Sequence, residues 1–143
     1  MSTLEEQIDI NAPAGAVWEE LHRVDDYPLF VDGVRNASTH GRRHAHLDVA
    51  TGDGEQDFET EITDLGRGRV MAWRTLGGPD LKGAFALLEL DPEHTRVQIR
   101  LEYDPDTVRE TFGGPRGFAQ AGAIERAVRA DLELFKSVVE AQP

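Results

Sequence analysis

The sequence contains no cysteine. Disulfides, thiolate nucleophiles and zinc sites built on cysteine are therefore excluded. Long apolar runs are missing too, since no stretch approaches the roughly 20 residues that span a bilayer. The N-terminus lacks the basic-then-apolar pattern of a secretion signal, so a cytoplasmic location is expected. Basic residues are scarce, 15 against 27 acidic, for a net charge of −12. A body that negative repels phosphate backbones and anionic lipid, which argues against nucleic acid and membrane partners. Solubility is reason enough for the charge. The glycine-rich stretch Gly113-Gly114-Pro115-Arg116-Gly117 lacks a Walker lysine and is no phosphate loop; it reads as a hinge. No serine–histidine–acid arrangement follows from the spacing. No repeat, linker or low-complexity segment interrupts the 143 residues. One domain over residues 1–143 is expected, large enough to bury roughly 68% of its unfolded surface.

What the sequence does have is a strong C-terminal stripe. Gly117 to Glu140 reads as one long amphipathic helix. Ala121, Ile124, Val128, Leu132, Phe135 and Val139 recur at steps of three and four, the helical period. The opposite face carries Glu125, Arg126, Arg129, Glu133, Lys136 and Glu140, with Glu125–Arg129 and Arg129–Glu133 placed to pair. The stripe begins small (Ala119, Ala121, Gly122, Ala123) and ends bulky (Leu132, Phe135, Val139). The bulky half is expected to fill a core and the small half to border an empty space.

The rest is mostly strand. Residues 3–10 alternate, with Ile8 and Ile10 marking the even face as buried and Glu6 as its exception. Asn11-Ala12-Pro13 ends the strand and opens a short helix over 14–22, which buries Val17, Leu21 and Trp18. Tyr27, Leu29, Phe30 and Val31 form an apolar cluster on a single helical turn. Turn signals then separate strands near 34–39, 43–50, 55–64, 69–75, 83–90 and 95–103. Phe58, Thr60 and Ile62 oppose Asp57, Glu59 and Glu61. Val97, Ile99, Leu101 and Tyr103 oppose Arg96, Gln98, Arg100 and Glu102. One face is apolar and one is charged. The expected class is α+β: a curved seven-stranded antiparallel sheet around a long C-terminal helix, with two short helices after the first strand.

Particular residues carry a resemblance. Ile8-Asp9-Ile10-Asn11-Ala12-Pro13, then Val17-Trp18, then Asp26-Tyr27-Pro28-Leu29-Phe30 resemble the opening of the polyketide cyclase/dehydrase, START-like (SRPBCC, Bet v 1-type helix-grip) superfamily. Trp73-Arg74-Thr75, Gly77-Gly78-Pro79, Gly83, Thr95-Arg96-Val97, Leu101-Glu102-Tyr103-Asp104-Pro105, Asp131-Leu132 and Phe135-Lys136 extend the resemblance through the chain. The nearest subgroup is bacterial single-domain proteins. The resemblance implies a cavity between sheet and helix for a small hydrophobic molecule, polyketide-like, aromatic or isoprenoid, with no cofactor. Two alternatives stay open, an aromatase/cyclase performing aldol cyclisation and dehydration, and a ligand-delivery or protein-interaction module using the acidic convex face. So does the oligomeric state.

By strand parity the lining of that cavity comprises Phe58, Thr60, Met71, Trp73, Thr75, Phe85, Leu87, Ile99 and Tyr103. Tyr27, Phe30, Phe112 and Phe118 stand at its mouth, and Gly122 lies on the thin end of the helix. The plain alternative is a closed aromatic core. Cyclising a poly-β-ketone needs a positioned acid/base group and a donor for developing oxyanion charge. Tyr103 is the titratable member of the inward set. Arg74 points outward unless a bulge turns it, and Arg43 shares a face with Leu47 and reaches towards one pocket end. His40, His44 and His46 with Asp48 invite a metal reading, since His44, His46 and Asp48 share a strand face and two histidines with a carboxylate form a recognised ligand set. Ligands about 7 Å apart on a wet face suit a metal poorly, and no metal site is expected. The row Asp57, Glu59 and Glu61 pairs with Arg96 and Arg100 if those strands are adjacent.

Overall fold

The computed structural model describes residues 2–31, 33–41, 43–51, 54–65, 69–77, 81–104, 106 and 123–142. Strand β1 (Ser2–Ile10) leads into helix α1 (Ala14–His22) and a 3₁₀ turn (Val24–Leu29). Six strands follow: β2 (Val34–His40), β3 (His44–Thr51), β4 (Gly54–Leu65), β5 (Val70–Leu76), β6 (Leu81–Asp91) and β7 (His94–Tyr103). Helix α2 (Ala123–Glu140) closes the chain. Residues 107–122, on which the expected start of the long helix and the Gly113–Gly117 hinge fall, lie outside the described set.

The strands form one antiparallel seven-stranded sheet in the order β1-β7-β6-β5-β4-β3-β2. From β2 to β7 each strand pairs with the next, as short hairpins require. Gly41, at φ +69°, sits between β2 and β3 in a backbone region open to glycine at little cost. β1 joins the far edge by pairing with β7, Ile8 opposite Val97 and Ile10 opposite Thr95. That corner is tied twice. The Thr95 hydroxyl donates to the Ala12 carbonyl at 2.9 Å, and the Asn11 amide donates to Glu140 Oε2 at 2.9 Å.

The apolar stripe of α2 faces the sheet. Val128, Leu132, Phe135 and Val139 are all buried, which stabilises the fold by about 6–12 kcal/mol at about 1.5–3 each. Phe135 meets Phe30 of the turn edge-on, with centroids 4.9 Å apart. Ile10, Val17, Leu21, Val24, Met71 and Val97 complete the main core. Glu6, the misfit of the inward face of β1, is matched by Arg129 of α2, whose Nε donates at 3.1 Å. Arg129 pairs with Glu125 as the spacing predicts. No helix among the described residues is long and apolar enough to cross a membrane.

Two expectations are corrected. Leu29 is 60% exposed, because Tyr27 and Phe30 turn inward and leave it on the outer side of the 3₁₀ turn. The acidic row of β4 does not meet Arg96 and Arg100, since β5 and β6 lie between β4 and β7. Arg96 instead pairs with Asp9, and Arg100 with Glu5 and Glu102. Glu59 pairs with His46 and Glu61 with Arg74.

Glu20 stands apart from the surface charges. It is 0% exposed, and neither carboxyl oxygen has a hydrogen-bond partner among the described residues. Arg23 Nη1 stands 3.7 Å from Oε2, an ion-pair distance without a hydrogen bond. Burial first, and then the neighbouring Asp26 carboxyl, push Glu20 from 4.5 up to about 7, against a weaker pull from Arg23 and Gln142. Folding therefore favours its neutral form. Its stabilising share is complete below pH 4.5 and is lost as pH rises through about 7. Glu20→Gln is expected to raise the melting temperature by a few degrees at pH 8, with the gain shrinking to nothing towards pH 4.5. Thermal unfolding across that pH series checks it, and a gain of the same size at both ends would contradict this account.

Candidate ligand cavity

The sheet and α2 do not meet everywhere. Between them lies a cavity of about 260 Å³ with an overwhelmingly apolar lining. Strand alternation supplies the sheet side: Ala45 and Leu47 from β3, Phe58, Thr60 and Ile62 from β4, Met71, Trp73 and Thr75 from β5. Phe85 of β6 and Ile99, Leu101 and Tyr103 of β7 continue it. The helical wall is Ala127, Val128, Asp131, Leu132 and Phe135. Leu21, Val24, Tyr27, Phe30, Val31 and Val34 close a third side.

Of the residues singled out from the sequence, Tyr27, Phe30, Phe58, Thr60, Met71, Trp73, Thr75, Phe85, Ile99 and Tyr103 are brought to this lining. Phe112, Phe118 and Gly122 lie outside the described residues. Leu87 is a correction: it shares the inward parity, but it is buried in the closed core with Val17 and Val97, away from the cavity. Arg74 stays on the outer face, its Nε 3.0 Å from Glu61 Oε1, with no bulge to turn it in. Arg43 is exposed and outside the lining; its contribution to the sheet is its carbonyl, which accepts the Ile62 amide at 2.6 Å. Of the expected helix gradient only the bulky half is described, Ala119, Ala121 and Gly122 lying outside the described residues. Leu132 and Phe135, of the bulky half, border the cavity as well as the core.

Asp131 is the charged residue of the lining that the strand-based reading missed. It lies three residues after Val128 and four before Phe135, so a helical wheel places it on the edge of the stripe. The other polar groups differ in how they are committed. The Tyr27 hydroxyl donates to the Leu21 carbonyl at 2.6 Å, and burial, then the charge of Glu20, raises its pKa. The Thr75 hydroxyl donates to the Leu81 carbonyl at 3.1 Å. The Thr60 hydroxyl has no hydrogen-bond partner among the described residues.

The indole of Trp73 is held by what its neighbour lacks. Gly83 stands opposite it on β6, and a Cβ there would fall 2.7 Å from Cζ2 and 2.9 Å from Cε2 of the indole. The ring lies across the bare glycine and forms part of the lining. Gly83→Val is expected to displace it, shifting Trp73 emission and weakening binding of an apolar probe. Tryptophan fluorescence in a Trp18→Phe background reads this, because the chain has two tryptophans. Unchanged emission would show that the glycine does not position the ring.

The outer face is a different surface. A more open depression of about 390 Å³ is walled by Glu61, Arg74, Lys82, Arg100 and Glu102, with Ala72 and Ala84 between them. Arg74 there pairs with Glu61, and Lys82 with Glu102. On β2–β4, His46 Nδ1 lies 2.6 Å from Glu59 Oε1 and Nε2 lies 3.0 Å from Asp48 Oδ1. Hydrogen bonding to Glu59 leads the causes that raise the His46 pKa. The groups His40–His46–Glu59 and His46–Asp48–Asp57 each bring ligand atoms within 4.8 Å of one another. These are the positions that could hold a cation, and His44 is not among them. Both ring nitrogens of His46 already face carboxylates, which accounts for the cluster as an ion-pair network.

A curved antiparallel sheet wrapped on one long helix, with a hollow between them, is the helix-grip architecture of START-like proteins. The START superfamily protein of Mycobacterium smegmatis shares it, with a TM-score of 0.76 at 12% identity over 96% of this chain and 97% of that one. The ZhuI aromatase/cyclase of Streptomyces sp. R1128 shares it too, at 0.74 and 22% over 97% and 93%. At those identities the likeness is one of fold. In sequence, the chain is 28% identical over 141 residues to an uncharacterized 17.2 kDa protein of Streptomyces lincolnensis, covering 98% of this chain and 91% of that one. The family described as polyketide cyclase / dehydrase and lipid transport matches residues 10–130, and the chain belongs to it.

Proposed function

We propose that the protein, acting as one unit over residues 1–143, binds a small hydrophobic molecule between the sheet and α2. The observation that carries this reading is the cavity itself, about 260 Å³ with only a few polar side chains in its walls. A soluble chain does not leave apolar side chains around a hollow without cost, because each loses the packing contacts of a filled core. An occupant restores those contacts. The size suits a molecule of two or three rings or an equivalent short chain. A family description that joins cyclisation to lipid transport supports the same class of occupant. The outer acidic row gives a partner-docking role no comparable support, since Glu59 and Glu61 are engaged in pairs.

A second reading, a polyketide aromatase/cyclase, is favoured by one feature, the Asp131 carboxylate in the same lining as the Tyr103 phenol. A carboxylate in an apolar wall is the type of group that removes a proton next to a ketone, and a phenol can donate to the oxyanion that follows. Incubation with a reactive poly-β-ketone separates the readings. A changed product ratio, lost in Asp131→Asn, supports the enzyme, and an unchanged ratio with binding intact leaves the carrier.

Trp73→Ala is expected to raise the dissociation constant of a co-purified ligand about tenfold while lowering the melting temperature only modestly. Native mass spectrometry of protein from its source identifies the ligand by mass, and calorimetry measures the loss. Equal binding by wild type and variant would remove Trp73 from the site.

A further inference from the structure

Thr60 is an odd choice for its position. It is 5% exposed in the middle of β4, between Phe58 and Ile62 on the inward face. Its cross-strand neighbours are Ala45 on β3 and Thr75 on β5. Ala45 is too short to cover it or to bond to it. The Thr75 hydroxyl donates to the Leu81 carbonyl and makes no hydrogen bond with Thr60. Among the described residues Thr60 Oγ1 has no hydrogen-bond partner, and it stands in the wall of the cavity.

Valine would fit the same space and the same strand, with equal branching at Cβ and no hydroxyl to satisfy. A buried hydroxyl without a partner is destabilising, and native structures usually provide one. The missing partner is specifically an acceptor, because an O–H proton facing an apolar hollow has nothing to bond to, whereas an unfilled lone pair is tolerated more readily. The cavity is where such an acceptor can come from.

Resting on the reading of this cavity as a ligand site, we infer that Thr60 is its polar anchor: the hydroxyl donates to a carbonyl or other acceptor oxygen on the ring body of the ligand. The occupant is therefore an oxygenated molecule rather than a pure hydrocarbon. The oxygen is directed towards the β3–β4–β5 part of the sheet, with the apolar remainder against Trp73, Phe85 and Leu132. Thr60 sets specificity, because a hydrocarbon of the same shape leaves the hydroxyl orphaned while a ketone satisfies it.

The test is a cycle of two ligands and two proteins. Tetralin and 1-tetralone are bicyclic probes that differ by one carbonyl oxygen. Their dissociation constants are measured by calorimetry with wild type and with Thr60→Val. The variant is expected to lower the affinity for tetralone relative to tetralin by about three- to tenfold, the range that a net hydrogen bond supplies. Thr60→Ser keeps the hydroxyl and is expected to retain the wild-type ratio, which separates the bond from any change in cavity shape. A ratio unchanged in Thr60→Val, with both probes bound, overturns the anchor and leaves the cavity reading standing. Failure of wild type to bind either probe overturns both.

Discussion

The structure depends on one mismatch of width. Seven strands at about 4.8 Å spacing make a sheet about 29 Å across, whereas a helix with its side chains covers only about 10–12 Å. One helix cannot cover that face if the sheet is flat. The sheet therefore curves, α2 packs against the β1 edge, and α1 with the 3₁₀ turn covers part of the rest. Where neither reaches, the inward side chains of β3 to β7 face a gap. The cavity is thus a consequence of how the cover is divided, not a separate feature added to the fold.

The same division separates the two faces by the kind of energy each carries. The outer face is a ladder of exposed pairs, Arg96–Asp9, Lys82–Glu102 and Arg74–Glu61 among them. Such exposed pairs contribute little each and are weakened by salt. They mark which face of the sheet is wet. The inner face supplies the stability, through the α2 stripe and the β1–β7 corner. Charges on it are few: Glu6 is drawn back to Arg129 at its rim, Glu20 of α1 has its pKa raised by burial, and Asp131 stands at the edge of the α2 stripe.

Alternation made much of this legible. A period of two identifies inward residues wherever a strand has one wet face, so β4, β5 and β7 could be read residue by residue. A period of three to four did the same for Val128 to Val139. Position along a strand is what period cannot give. Leu87 has the right parity but lies where α1 closes the core, and no local pattern marks where cover ends and cavity begins. Pairing order was equally hidden. Charges on β4 and β7 look complementary in sequence, but two strands separate them. The Gly83–Trp73 contact depends on register across a hairpin, which alternation alone leaves open by steps of two.

The arrangement also bears on what kind of chemistry the hollow can support. Storing a ligand needs apolar area and a way to select its shape, and the aromatic walls supply both. Accelerating a reaction needs groups that interact more strongly with the transition state than with the bound ligand. Tyr27 has its proton turned away to Leu21, and Asp131 is already engaged in an interaction of its own. Binding can proceed with every one of these contacts intact. Cyclisation would require Asp131 to exchange its present contact for an acidic C–H of the ligand as that bond breaks, so the carrier reading makes the smaller demand on the structure.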